Sequence, residues 1–328
     1  MEHDASKKNI FMGVLLKLAF LMDASDPRDR ICAFLAFQEP NENQIVPDYG
    51  LEVNDAYMII SESIVKSTNS LSILGLVRGT SSPGSLPSWV VDWRVKEMTQ
   101  GNPFDENLLS SRRKFDACSG YQHRTVDKMT ITKSLPVRGK RLSEIVAVSS
   151  VIHHGHLPLN RRFKIDEVLN SIDLNLTPEK RFSLERDQDD LYKRILLVLT
   201  AQDMNVFKSP FDREYSINRM LRAYQNDDRA FNVPEKYLDI AKQLNDIGGM
   251  HIIYQKRVFY SGVGLFGLGP ELMKENDLIC ILHGSIVPII PREQKAGFEL
   301  VGQCYFENWM HGDLVYWKED EGDLFNLI

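Results

Sequence analysis

The chain has 328 residues, room for about two domains or one large one. Its apolar fraction of 43% and charged fraction of 26% are near the globular average, which excludes a disordered polymer, a collagen-like repeat and a membrane channel. Lys and Arg number 39 against 45 Asp and Glu, a formal net charge of −6. That is the wrong sign for a surface built to neutralise phosphates, so nucleic acid is not an expected partner. Four cysteines, Cys32, Cys118, Cys280 and Cys304, include no C-x-x-C pair and form no disulfide scaffold, a pattern that fits a reducing, intracellular compartment.

The N-terminus carries Lys7 and Lys8 before an apolar stretch, Ile10 to Met22. Lys17 interrupts the stretch, no small-residue cleavage site follows, and the run is shorter than the ~20 residues a span needs. Phe11, Val14, Leu15, Leu18 and Met22 recur at helical spacing, so an amphipathic helix packed on the protein is the expectation, with no membrane span.

The first region, 1–100, continues with a helix capped by Asp26, with Pro27 in its first turn and Ile31, Cys32, Leu35 and Ala36 on its apolar face. Asp26, Arg28, Asp29 and Arg30 read as a capped, salt-bridged helix start. Pro47-Asp48-Tyr49-Gly50 reads as a turn, and Val53, Ala56, Tyr57, Ile60 and Ile64 mark a second helix over about 52–66. A Gly, Ser and Pro loop at 79–84 leads into Leu86–Trp93, an extended segment that places Trp89 and Trp93 on one face.

The second region, 101–249, is mixed and mostly helical after 163. Val137 to Val151 suggests strands around a turn at Arg138–Arg141. Thr177 and Pro178 open a helix reaching about Thr200. Residues 202–232 are polar and read as a mobile connection, and Pro234 starts a helix ending at Gly248-Gly249. The third region, 250–328, shifts to short β-branched and aromatic runs: 251–254, 257–260, 278–282, 286–287, 298–301 and 314–317. Their spacing indicates a small antiparallel sheet or barrel. The overall class is therefore α+β.

Three patterns invite chemistry. Gly262-Val-Gly264-Leu-Phe-Gly267 spells G-x-G-x-x-G, but a dinucleotide site needs a full helix after it, and Pro270–Glu275 allows only one turn. A β-turn or bulge with glycines at positive φ is the better reading. His153, His154 and His156 offer three imidazoles for zinc, yet adjacent residues on an extended segment point apart and Gly155 and Pro158 make this a loop tip. Cys280 and His283 fall on opposite faces of a strand, which disfavours a nucleophile pair. No catalytic residue, metal ligand or cofactor site is assigned.

Ser25-Asp-Pro-Arg-Asp-Arg-Ile-Cys-Ala-Phe-Leu-Ala36 resembles the "DPRD-[RK]-[IV]-Y-A-L-L-G" segment of fungal heterokaryon-incompatibility (HET) proteins, with Cys32 for Tyr and Ala36 for Gly. The residues carrying that block are Asp26, Pro27, Arg28 and Asp29. Pro47, Asp48 and Tyr49 match the family's "PDY" turn. Pro87, Trp89, Asp92 and Trp93 match "LPSWVPDW", with Val91 for Pro. Phe115–Ala117 and Leu135–Gly139 resemble weaker blocks. Gly264, Gly267, Gly269 and Pro270 resemble "GYLGLGP", and Gly284, Pro288 and Gly302 sit in segments similar to the family's C-terminal strands.

The resemblance implies that these residues are structural. The family's HET domain proper, a TIR-like α/β domain, lies upstream of the "DPRD" segment and ends in a block like "R-x-W-x-x-Q-E" that is absent here. It implies, then, a C-terminal portion of a HET protein lacking most of that domain. Such a portion would be cytoplasmic and non-enzymatic, acting in self/non-self recognition and cell death through contact with a protein partner, either another incompatibility factor or the HET domain itself. Two alternatives are a TIR-like enzyme cleaving a nucleotide such as NAD and a truncated product without activity.

Overall fold

Burial of apolar stripes accounts for the helices. The computed structural model describes residues 19–20, 22–35, 46–77, 86–95, 115–120, 133–151, 194, 198, 255–312 and 322–328. Helix α1 spans Asp29–Leu35 and buries Ile31, Cys32 and Leu35. Helix α2 spans Val53–Thr68 and buries Ala56, Tyr57, Ile60 and Ile64, the positions that helical periodicity selects. It ends at Asn69 in the left-handed region (φ 49°), the conformation that asparagine tolerates at a helix C-terminus. A 3-10 helix at Ser72–Leu76 follows.

Eight strands are described: β1 (Leu135–Val148), β2 (Lys256–Ser261), β3 (Phe266–Pro270), β4 (Leu278–Leu282), β5 (Ile289–Gln294), β6 (Gly297–Gln303), β7 (Tyr305–Phe306) and β8 (Asp323–Leu327). The chain divides into two compact units. The first takes the described residues of Met1–Glu144, Asn276–Cys304 and Asn308–Ile328; the second takes those of Ile145–Glu275 and Tyr305–Glu307.

In the first unit the strands close on themselves. β1 pairs with β8 from Leu135↔Leu327 to Gly139↔Asp323, and with β4 from Gly139↔Leu282 to Glu144↔Leu278. β4 meets β5 at Cys280↔Ile289, and β5 pairs with β6 from Ile289↔Gln303 to Gln294↔Gly297. β6 meets β8 in parallel at Phe298↔Leu327. The ring β1-β4-β5-β6-β8-β1 is a five-stranded barrel, and closure removes the open edges that a flat sheet would leave. Leu278, Cys280 and Leu282 of β4 share one core with Ile31, Tyr57, Trp89 and Trp93. Ile281, pointing the other way, joins Ala117 and Cys118. The helices and the barrel of this unit therefore fold around common apolar contacts.

In the second unit Ile145–Val148 of β1 pairs with β2, β2 and β3 form a hairpin, and β7 adds to β3 at Gly267↔Phe306 and Leu268↔Tyr305. Phe259 and Phe306 stack at 5.9 Å.

The α+β class and the strands at 257–260, 278–282 and 298–301 agree with the sequence reading. Four expectations are corrected. β1 is one continuous strand with no turn at Arg138–Arg141. Gly139 permits close packing instead: a Cβ there would lie 2.5 Å from Leu282 Cδ2 and 2.6 Å from the Ile281 carbonyl. Leu86–Trp93 is not extended; turns close with Val90 N–H donating to the Pro87 carbonyl (3.0 Å) and Val95 N–H to the Asp92 carbonyl (3.4 Å). Ile286–Val287 is a bend, because Ser285 Oγ donates to the Val287 carbonyl (2.5 Å) and the strand starts only at Ile289. The barrel does not form within 250–328, since β1 comes from the middle of the sequence.

The helical character expected after 163 is seen only at Arg194 and Val198. The rest of the 177–200 helix, the 202–232 connection, the 234–249 helix, the His153–His156 cluster and the runs at 251–254 and 314–317 lie outside the described residues. So does most of the Phe11–Met22 helix, of which Ala19 and Phe20 are helical and buried. Met22, placed on the packed face by spacing, is 47% exposed. Among the described residues no helix is long and apolar enough to cross a membrane.

Candidate functional site

Segments far apart in sequence converge around Tyr57. Asp26 starts the arrangement: its Oδ1 accepts the Arg28 backbone N–H at 2.9 Å, and its carbonyl accepts the Asp29 N–H at 3.0 Å, the turn that launches α1. The same carboxylate holds the Arg28 side chain through Nε at 2.9 Å and Nη2 at 2.6 Å. This two-point pairing fixes the planar guanidinium. Its remaining nitrogen, Nη1, donates to the carbonyls of Tyr49 (2.6 Å) and Leu51 (2.7 Å). Arg28 also lies over the Tyr49 ring at 5.3 Å. The Tyr49 hydroxyl donates to Asp29 Oδ1 at 2.5 Å, and Asp48 Oδ1 accepts the Gly50 N–H at 2.8 Å.

Beneath this surface layer the contacts are buried or half-buried. Tyr57 OH donates to the Pro27 carbonyl at 2.6 Å, and its ring meets the edge of Trp93 at 5.1 Å and 83°. Arg30 Nη1 donates to the Trp93 carbonyl at 2.8 Å. Asp92 pairs with Arg94 at 2.8 Å through both oxygens, as Asp26 pairs with Arg28, and Arg94 lies 5.9 Å from the Tyr57 ring centre. Val91 N–H reaches Ser61 Oγ at 3.4 Å. Trp89 and Trp93 are fully buried, and Trp89 Nε1 donates to the Lys133 carbonyl at 3.3 Å.

The electrostatics follow these partners. Hydrogen bonds from Arg28 hold the Asp26 carboxyl below its ordinary range. Asp29, accepting the phenol proton, pushes Tyr49 up to about 12. Burial raises Tyr57, Cys32 and Cys280, so these groups stay protonated at neutral pH. A thiol kept protonated is a poor nucleophile. The four cysteines are all buried. Among the described residues no three His, Cys, Asp or Glu side chains are grouped to hold a metal ion.

Further hydrogen bonds secure the remaining blocks within the barrel unit. Ser88 Oγ donates to the Ile328 carbonyl and accepts the Leu300 N–H at 2.8 Å. Asp116 N–H donates to the Met310 carbonyl (2.9 Å), Ala117 N–H to Ile286 (3.0 Å), Leu71 N–H to Gly284 (2.9 Å) and Cys304 N–H to Pro288 (2.9 Å). Gly302 pairs with Ile290 beside the register shift in β5–β6.

The glycine motif divides in two. Gly264 has positive φ (81°) and its N–H closes a turn onto the Ser261 carbonyl at 3.0 Å. Gly267, Gly269 and Pro270 lie in strand β3, so the expectation of positive φ holds only at Gly264. A Cβ at Gly267 would sit 2.1 Å from the Phe259 ring and 2.5 Å from the Tyr305 carbonyl. In the same unit, Arg194 pairs with Glu307 at 2.7 Å and donates to the Gly264 carbonyl at 2.8 Å.

Residues 179–328 match the Het-6 beta-barrel domain, a heterokaryon-incompatibility-associated domain. Over this C-terminal stretch the chain is similar to heterokaryon-incompatibility proteins. The matched stretch supplies β4, β5, β6 and β8 of the five-stranded ring, and β1 precedes it. No curated protein and no solved structure matches the chain.

The structure gathers Asp26, Pro27, Arg28, Asp29, Asp48, Tyr49, Asp92 and Trp93 into one arrangement around α1 and α2, while Pro47 is exposed beside it. Pro87 and Trp89 flank it. Sequence reasoning missed Arg30 and Tyr57 as polar members. Arg30 reads as one more member of a salt-bridged helix start, and Tyr57 as one more apolar position of a stripe; nothing in the spacing announces their carbonyl partners.

Proposed function

We propose that this HET-type chain acts by protein contact, without catalysis, in fungal self/non-self recognition and cell death, and that it does so in the cytoplasm. The observation that carries the reading is the use of the carboxylates in its sequence blocks. Asp26 holds Arg28, Asp29 accepts Tyr49, Asp48 accepts Gly50 and Asp92 holds Arg94. A general acid, base or nucleophile needs an unspent group within reach of a substrate. Here each carboxylate fixes backbone or a guanidinium, as capping and turn residues do. The packing of both tryptophans against barrel residues supports the same view: these blocks build a frame.

The competing reading is a TIR-like enzyme that cleaves a nucleotide such as NAD. It needs a cradle for phosphates, and the G-x-G-x-x-G motif places Gly267 in a strand against an aromatic ring instead of at a helix N-terminus. Expression in a fungal cell separates the two. If the chain arrests growth, an Asp29→Ala variant that stays folded should arrest it equally. Loss of arrest in a folded Asp29→Ala protein would overturn the proposal.

A further inference from the structure

We propose that residues 46–51 form a polar strap that opens and closes while the core beneath stays folded. Val46, Pro47, Asp48, Tyr49 and Gly50 are all exposed, with Val46 at 76% and Tyr49 at 52%. Tyr57 and Trp93, directly under the arrangement, are fully buried. The strap thus gains little from apolar burial, the main source of cooperative stability. Its attachments to α1 and the preceding turn are polar and rest on two neighbouring residues. Arg28 Nη1 grips the Tyr49 and Leu51 carbonyls, and Asp29 accepts the Tyr49 hydroxyl. The Arg28 guanidinium over the Tyr49 ring adds a cation–π contact.

Inside the strap Asp48 accepts the Gly50 N–H and the Leu51 N–H; the Arg28 grip on the Tyr49 and Leu51 carbonyls holds this turn in shape, so these amides exchange when the strap lets go. Arg28 keeps its place when the strap leaves, because Nε and Nη2 remain on Asp26. At its far end Glu52 precedes α2 without a side-chain cap. Segments secured by a few solvent-accessible hydrogen bonds open far more often than the whole fold. The closed form hides the outer edge of the Arg28 guanidinium; the open form presents that donor and the Tyr49 phenol together.

Hydrogen exchange of the full-length chain, followed by mass spectrometry, tests this. Tyr49→Phe removes only the hydroxyl bond to Asp29. Exchange in peptides covering 46–51 should then rise about fivefold, the factor of one ordinary hydrogen bond, while peptides from α2 and from 86–95 keep the wild-type rate. Arg28→Lys, which retains a charge beside Asp26 but loses the two-carbonyl grip, should accelerate the same peptides. Unchanged exchange at 46–51 in both variants would overturn the strap. So would acceleration spreading equally through α2, since the loop would then open only with the core.

Discussion

Arg30 and Trp93 lie 63 residues apart, and the guanidinium of the first donates to the backbone carbonyl of the second at 2.8 Å inside the protein. This bond ties the helix of the first block to the tryptophan turn of the third. Arg30 is 7% exposed, so little water reaches the carbonyl if the donor is removed. Arg30→Met keeps much of the aliphatic volume and removes the donors. It should cost about 2–3 kcal/mol, the range for a charged hydrogen bond whose partner stays buried, read as a lowered urea midpoint.

Trp89 and Trp93 are both 0% exposed. Truncating either to Ala should cost roughly 3–5 kcal/mol, with Trp93→Ala also losing the edge contact to Tyr57. Thermal unfolding followed by circular dichroism checks this. A Trp89→Ala protein with the wild-type melting temperature would mean that the ring is not packed as described.

Gly267→Ala places a methyl 2.1 Å from the Phe259 ring. A strand buried on that side cannot yield without moving β2 or β7. The expected loss is about 1–3 kcal/mol, the usual cost of overpacking, measured by denaturant titration. If the motif serves as the turn of the β2–β3 hairpin, the wild-type protein should show no shift in melting temperature on adding NAD.

Much of this arrangement was legible in the sequence, and the failures have physical causes. Short apolar, β-branched runs mark β4 and β6, and the stripe from Ala56 to Ile64 marks α2, because its one buried face writes a period into the chain. Asp26 with Pro27 announces a helix start. Turn residues misled where they serve packing: Gly139 allows β4 to approach β1 and does not bend the chain. The tryptophan segment looked extended, yet Pro87 and Asp92 close two turns whose hydrogen bonds no periodicity reveals. Closure of the barrel by β1 depends on pairing across more than a hundred residues, a relation that local pattern cannot carry. For the same reason the roles of Arg30 and Tyr57 are not legible: their partners are backbone carbonyls, which have no sequence signature.

Tyr49 supplies a pH test. Its hydrogen bond to Asp29 pushes the phenol up from 10.0 to about 12. The folded state therefore holds this proton more tightly than the unfolded chain. The bond's stabilisation is fully present below pH 10 and is lost as pH rises through about 12. Asp26 works in the opposite direction. Its carboxyl is lowered from 3.8, so its contribution is present above pH 3.8 and is lost as pH falls through the folded value. Tyrosinate absorbance should show one fewer late-titrating phenol in Tyr49→Phe, and Asp29→Ala should return Tyr49 toward its ordinary value.

The claim that the carboxylates of these blocks build a frame and perform no chemistry is tested most directly by incubating the purified full-length chain with NAD and measuring nicotinamide release. The account predicts release no faster than in buffer, for the wild type and for Asp29→Ala alike. Enzymatic release by the wild type that disappears in Asp29→Ala, with the variant's circular dichroism unchanged, would contradict it.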